Sequence, residues 1–368
     1  MDKVHVNPKG RIYLTGLDQE ELTSDLTRFL TERRQKPYRV KQIIGWLYHH
    51  ARTDFDDMIN LPDKLRTELR NNFSILSLEL GQHLCAKDRT EKFLWTTSDG
   101  QTIESVYMPA VKKATLCLST QIGCSLACSF CTSGTLGFRR NLEAHEIVSQ
   151  TLAMMAMRSG EAEVSNIVFM GMGEPMLNFD NLAKAICIIN DPDLLQIGSR
   201  RITVSTAGIP KGIRRLAKEF PQVKLAVSLN APVDTLRDRL MPINKRYPLK
   251  RLMEAVGDFV EITGKRITFE YIIIPGVNDT LSLAYSLKKL IDGIPCKVNL
   301  IALNRPGPGG YGAPKAEEIK RFREILMGLL PQSVTLRKSM GGEINAACGQ
   351  LAGRVFRKGH TRKKVLRS

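Results

Sequence analysis

No stretch of this chain approaches the roughly 18 consecutive apolar residues that a membrane-crossing helix needs, which argues against a helical membrane protein. Residues 1–16 mix Asp, Lys, His and Arg with short apolar runs and predict no secretory leader. Long internal repeats and low-complexity tracts are missing. Acidic residues are in short supply: 37 Asp and Glu stand against 54 Lys and Arg, a formal net charge of +17 spread along the sequence. Such an excess favours a polyanionic partner, because each neutralised phosphate releases a condensed counterion. The eight cysteines are too unevenly spaced, in a chain of 368 residues, for a small disulfide scaffold. A reducing cytoplasm is expected, where clustered cysteines serve metal binding or catalysis.

What is present is a chain long enough for two or three modules at roughly 150 residues each. Hydrophobic residues make up 43%, enough for a large core. Residues 1–78 read as a helical accessory RNA-binding domain. Asp18-Gln-Glu-Glu21 has the capping-box pattern, with Leu22, Leu26, Phe29 and Leu30 on one helical face after it. A second helical segment carries Val40, Ile43, Ile44 and Leu47, and a third, from Pro62, presents Leu65 and Leu69. Arg33, Arg34, Lys36, Arg39 and Lys41 among them read equally as a grip on RNA backbone or as a solvated face. Residues 79–112 read as a linking β-hairpin, its strands at 92–97 and 102–108 around the Asp99-Gly100 turn; Glu104 lies in the second strand.

From 113 to 345 short apolar strands alternate with longer helical patterns. Strands are predicted at 115–119, 166–170, 202–205, 225–229, 268–273, 298–301 and 334–337, and helices at 144–157 and 249–263 among others. Alternation of this kind predicts an α/β fold: a partial or complete parallel (β/α) barrel whose site residues gather at the carboxyl ends of the strands. The Pro/Gly-rich residues 305–312 read as a loop near that face. Residues 346–368 hold Cys348 and a basic tail with Arg357, Lys358, Arg362, Lys363, Lys364 and Arg367, a segment that either touches RNA or is disordered.

The strongest chemical signal is Cys124-Ser-Leu-Ala-Cys128-Ser-Phe-Cys131. Structural zinc wants four ligands, commonly two separated pairs, and no second pair exists. An ordinary [4Fe–4S] cluster takes four thiolates, so three leave one iron open to a small molecule. Placed after the first barrel strand, this C-x3-C-x-aromatic-C motif resembles the radical S-adenosylmethionine (SAM) superfamily. There SAM chelates the open iron, and one electron cleaves it to a 5′-deoxyadenosyl radical. Gly171-Met-Gly-Glu-Pro175 is similar to that superfamily's Gly-Gly-Glu-Pro motif, with Gly173 and Glu174 as implied SAM contacts. Alone it is a tight turn. Ser205, Ser228 and Asn304, at or beyond strand ends, would otherwise be turn or cap residues; the resemblance makes them SAM contacts, with Leu229 and Asn230. Asn230 stands where many members carry His.

Thr115-Leu-Cys-Leu-Ser119 and Ala346-Ala-Cys-Gly-Gln350 are similar to the two catalytic-cysteine segments of one branch, the RNA adenine methyltransferases with C2- and C8-specific members. Lys36-Pro-Tyr-Arg39 and Met241-Pro-Ile-Asn-Lys245 extend the likeness over residues 12–354. Carbon 2 of adenine offers no nucleophile for a polar methyl transfer, so a carbon radical is required. The resemblance implies that Cys348 takes a methyl group from one SAM, and that the radical from a second SAM abstracts a methyl hydrogen. The methylene radical then adds to adenine, and Glu104 accepts the ring proton. It further implies that Cys117 attacks Cys348, forming a disulfide bond and releasing methylated RNA. The implied substrates are an adenosine in the peptidyl-transferase region of 23S rRNA and the adenosine 3′ of the tRNA anticodon, unstacked to reach the barrel mouth. Also implied are a flavodoxin-type electron donor, a cytoplasmic monomer and no membrane. C8 methylation of the same rRNA adenine is the close rival. A structural cluster in a non-catalytic RNA-binding protein would need neither Cys117 nor Cys348, and an electron carrier would have a fourth nearby cysteine.

Overall fold

The computed structural model describes residues 6–158, 162–304, 309–337 and 339–353. The basic tail and residues 305–308 of the Pro/Gly-rich loop lie outside the described residues.

The N-terminal helices form as their patterns predict. Asp18 caps helix Gln19–Glu32 by accepting from the Glu21 N–H at 2.9 Å, and Glu21 returns the bond to the Asp18 N–H at 2.9 Å. Leu22, Leu26, Phe29 and Leu30 are buried on its inner face. Arg39–Ile44 runs on through a wider turn at Gly45–His49, and Asp63–Asn72 follows Pro62. A two-residue parallel ladder, Ile12–Tyr13 with Phe73–Ser74, ties the ends of this region together. It packs against helix Ala144–Met157, where Tyr13 stacks on His145 and the Thr15 hydroxyl meets that of Ser149 at 3.1 Å.

Among the described residues the main sheet has ten strands: β1 Leu78–Cys85, β2 Glu91–Thr97, β3 Thr102–Pro109, β4 Lys113–Cys117, β5 Glu163–Phe169, β6 Ile202–Thr206, β7 Lys224–Ser228, β8 Ile267–Ile273, β9 Cys296–Ala302 and β10 Ser333–Arg337. They neighbour one another in chain order. From β4 to β10 every pairing is parallel, and helices connect the successive strands. From β1 to β4 every pairing is antiparallel. β1 and β10 stand at opposite edges, so the barrel is partial. The hairpin β2–β3 is continuous with it, because β3 pairs with β4 from Val106–Cys117 to Pro109–Ala114.

β1 is a strand that hydrophobic patterning does not announce. Its register slips between Leu80 and Gln82, beside Gly81, and this bulge breaks the alternation expected of a half-buried strand. The parallel strands instead carry near-continuous apolar runs. Phe169, Val204, Leu225, Val227, Phe269, Ile273, Val298 and Leu300 are fully or almost fully buried, as sheets covered by helices require.

Candidate active site

The three cysteines of the C-x3-C-x2-C motif sit on a loop closed at its neck. Gln121–Gly123 pairs antiparallel with Phe138–Asn141, and the Cys124 N–H donates to Gly137 O at 3.1 Å. Gly123 has φ +72°, and a Cβ there would lie 1.7 Å from Gly137 O, so the neck requires glycine. The far side is pinned to helix Asp234–Leu240 by the Ser129 N–H on Leu240 O at 2.9 Å.

Cys124, Cys128 and Cys131 line one cavity at the carboxyl ends of the parallel strands, together with Gly173, Glu174, Ser205, Ser228, Asn230 and Cys348. Burial raises the proton affinity of all three motif thiols, Cys124 to about 12, and the neighbouring cysteine charges push Cys128 further. A metal reverses this by expelling the protons. Among the described residues no three His, Cys, Asp or Glu converge as ligands of a single ion. A cluster asks for something else, one thiolate on each of three irons. Three thiols on a pinned loop, facing a cavity with strand-end polar groups, fit a [4Fe–4S] cluster with SAM on its open iron.

Glu174 is buried with its carboxylate engaged: it accepts from the Ala207 N–H at 2.8 Å and the Met176 N–H at 3.1 Å. Burial pushes its carboxyl above the usual range, against the pull of those donors and of Thr206. Gly173 has φ +99°, and a Cβ there would lie 2.5 Å from the Gln121 Cβ, so this turn too admits only glycine. Asn230 is a buried residue at φ +57°, a conformation that Asn tolerates better than most residues. Its Oδ1 accepts from the Ile272 N–H at 2.9 Å, its Nδ2 reaches Met241 Sδ at 3.3 Å, and its carbonyl accepts from Asn278 Nδ2 at 2.9 Å.

Two expected SAM contacts lie outside the cavity lining. Leu229 is fully buried in the core and offers only its backbone, its N–H bonding Glu270 O at 3.0 Å. Asn304 instead holds the C-terminal segment: its Nδ2 donates to Ser339 Oγ at 2.8 Å, and its carbonyl accepts from Gln350 Nε2 at 3.0 Å.

Cys117, at the end of β4, opens into a second, smaller cavity. Cys348, Met170, Ile301 and Arg337 line both cavities, so Cys348 stands in the partition between them. The strap that carries it is bonded to the cluster loop: the Thr132 N–H donates to Gly349 O at 2.8 Å and Ser133 Oγ to Leu351 O at 2.7 Å. Glu104, only 1% exposed, accepts from the Ala352 N–H at 2.7 Å and pairs with Lys92 Nζ at 2.9 Å.

A chain model for the radical SAM superfamily matches residues 118–281, and one for the ribosomal RNA large subunit methyltransferase N-terminal domain matches residues 12–75. The probable dual-specificity RNA methyltransferase RlmN of Geobacillus kaustophilus is 44% identical over 358 residues, covering 96% of this chain and 95% of the relative. The dual-specificity RNA methyltransferase RlmN of Anaeromyxobacter dehalogenans is 42% identical over 92% of this chain and 91% of its own. This chain belongs to the RlmN-type radical SAM RNA methyltransferases. The crystal structure of a radical SAM methyltransferase from Sphaerobacter thermophilus superposes with a TM-score of 0.86 at 41% identity, covering 93% of this chain and 99% of that one.

One expectation fails against the RlmN-type fold seen here. No disulfide bond joins Cys117 to Cys348; all eight cysteines are free thiols. Burial, with the Cys348 charge next, pushes the Cys117 thiol up to about 12, so it is protonated and unreactive at neutral pH.

Sequence reading also passed over two arginines at the site, one buried and one half-buried. Arg237 is fully buried, donating from Nε to Leu229 O at 3.0 Å, from Nη1 to Asn244 Oδ1 at 2.9 Å, and from Nη2 to Ala207 O at 2.6 Å and Ser228 O at 3.2 Å. It therefore ties the carboxyl ends of β6 and β7, where the cavity residues lie. Desolvation lowers its pKa to about 10, which leaves it charged. Its signal was its spacing: Val233, Arg237 and Leu240 fall at helical core intervals. Arg337 ends β10, and the charge of Cys348, then those of Glu270 and Cys117, raise its pKa despite burial. A cation at the carboxyl end of a barrel strand was the available clue.

A separate cleft of about 640 Å³, between the turn at 48–52 and residues 194–201, contains none of these residues.

Proposed function

We propose that the chain methylates carbon 2 of an adenosine in 23S rRNA, and of the adenosine 3′ of the anticodon in tRNA, with Cys348 as the methyl carrier. The observation that carries this reading is the position of Cys348 in the wall between a cavity lined by three motif cysteines and one lined by Cys117. A carrier thiol must meet its methyl source on one side and its acceptor on the other. Cys124, Cys128 and Cys131 would hold the cluster, and Gly173, Ser205, Ser228 and Asn230 would surround SAM. When bound, the cluster and SAM supply the methyl group and the one-electron chemistry that an unactivated ring carbon demands.

The remaining work falls to the chain itself. Glu174 accepts from the Ala207 N–H and Arg237 donates to the Ala207 carbonyl, so together they hold the backbone on both sides of this cavity-lining residue. Glu104 is the proposed acceptor of the ring proton, its carboxylate coming free once Ala352 leaves it. Cys117 acts in product release, and its burial keeps it out of earlier steps. The net charge of +17 suits a polyanionic RNA, which a flavodoxin-type donor and a cytoplasmic, monomeric enzyme would complete. No described helix is long and apolar enough to cross a membrane.

The test is anaerobic turnover with methyl-labelled SAM, a reductant and an rRNA fragment or tRNA, followed by mass spectrometry of the nucleosides. Labelled 2-methyladenosine is expected. Labelled 8-methyladenosine, or SAM cleavage without methylated adenosine, would overturn the assignment.

A further inference from the structure

The buried ion pair between Lys92 and Glu104 has a geometry that ion pairing alone does not explain. In the β2–β3 register Leu94 faces Glu104 and Lys92 faces Val106, so Lys92 and Glu104 are diagonal neighbours on one face of the sheet. Their side chains are 5% and 1% exposed, with Nζ and Oε1 2.9 Å apart. The strap that bears Cys348 crosses this face. Lys92 Nζ reaches Asn345 O at 3.4 Å, and Glu104 Oε2 accepts from the Ala352 N–H at 2.7 Å. The two contacts bracket residues 345–352, with Cys348 between them.

A fully buried ion pair is weak evidence for stability, because desolvating both charges offsets their attraction; its best-attested use is to fix one arrangement among several. Here both members turn further bonding capacity to the strap backbone. The bond from the Ala352 N–H to a carboxylate is charge-assisted and stronger than a neutral one. The other anchors along 345–352, Thr132 on Gly349, Ser133 on Leu351 and Gln350 on Asn304, are neutral hydrogen bonds. Lifting the strap would therefore cost most at the ion pair.

We propose that Lys92 and Glu104 form a clasp that seats the Cys348 strap in the partition between the two cavities. Both are positioning residues in this role, acting on Cys348 through the backbone at Asn345 and Ala352. The inference rests on the reading of Cys348 as methyl carrier for its purpose, but its test does not pass through methylation.

The experiment is peptide-level hydrogen exchange on the full-length protein, paired with the alkylation rate of Cys348 relative to the exposed Cys85. The double variant Lys92→Met/Glu104→Leu replaces the pair with apolar side chains of similar length, a change that buried ion pairs commonly tolerate. Exchange over 345–352 is expected to rise about tenfold or more, and Cys348 alkylation with it, while β8 keeps its wild-type protection. Exchange over 345–352 within about twofold of wild type, with β8 protected, overturns the clasp. Where β8 loses protection too, Glu104→Gln decides. It keeps an acceptor for Ala352 without the charge, and it is expected to loosen the strap by about threefold to tenfold. An unchanged strap in that variant overturns the proposal. Cys348→Ala, assayed for RNA methylation, tests the carrier reading separately.

Discussion

Arg237 offers the sharpest single test of how the site is built. Replacing it with Met keeps the length and apolar stem of the side chain but removes the guanidinium that joins Ala207, Ser228, Leu229 and Asn244. Two effects oppose each other. The variant no longer desolvates a charge, which favours it. It also leaves acceptors buried. The Leu229 carbonyl keeps a second donor, the Ala231 N–H at 2.7 Å, but Ala207 O and Asn244 Oδ1 each lose theirs. An orphaned buried acceptor costs about 1–3 kcal/mol. With Asp234 and Asp238 grouped around Asn244, removing the cation also exposes like charges to each other. The loss should therefore win, by about 3–5 kcal/mol, as for breaking a buried charged network. At about 2–3 °C per kcal/mol this lowers the Tm by about 10 °C. Because the freed strand ends carry Ser205 and Ser228, SAM affinity should fall by about tenfold as well. Arg237→Lys keeps the charge but cannot reach all four oxygens, and it should fall between. Calorimetry on the purified protein and equilibrium dialysis with SAM read both quantities. A Tm within about 2 °C of wild type, with unchanged SAM affinity, would refute the reasoning.

Cys348→Ala should abolish RNA methylation while retaining iron and the visible absorbance of the cluster; native turnover by this variant would remove Cys348 from the chemistry. Cys117→Ala should accumulate a covalent protein–RNA adduct visible on denaturing gels, and normal turnover without adduct would exclude it from product release. Gly173→Ala forces a Cβ against Gln121 at a positive φ, so SAM binding should drop by at least about tenfold while the N-terminal helices keep their protection. Cys117 and Cys296 are raised by burial from an ordinary 9 to about 12 and about 11, so their contribution to stability is complete below pH 9 and is lost as pH rises toward those values. Urea midpoints of cluster-free protein should fall from pH 9 to 11, and less steeply in Cys296→Ala; identical slopes would contradict the assigned burial effect.

Most of the barrel was legible because its strands are covered on both faces and so read as short apolar runs between helical patterns. Each of the seven predicted strands from 115–119 to 334–337 overlaps an observed one, with ends displaced by at most a few residues. β1 escaped because its bulge at Gly81 destroys the alternation that marks a strand with one wet face. The cysteine loop was legible because metal ligation demands fixed spacing. Leu229 and Asn304 were assigned by resemblance, and position along the sequence cannot tell an inward side chain from one turned, as theirs are, to the core or to a neighbouring segment. Arg237 was passed over for the opposite reason. A charged residue is expected outside, and only the carbonyls of two strand ends, brought together by folding, give this one a reason to be inside.

The proposed roles of Cys348 and Cys117 account for the two environments of thiol in this site. A carrier thiol must be open on two sides, and Cys348 lines both cavities on a strap held largely by hydrogen bonds. A thiol that acts only at release gains from being kept protonated until then, and Cys117 lies buried on a barrel strand whose hydrogen bonds hold it in place. The Arg337 guanidinium, which lines both cavities beside Cys348, partly offsets the cost of the Cys117 thiolate. If the strap moves while Cys117 stays fixed, the distance between the two sulfurs is set by the strap alone. The order of events is then governed by what seats the strap, and residues 345–352 should lose their protection before any part of the barrel does.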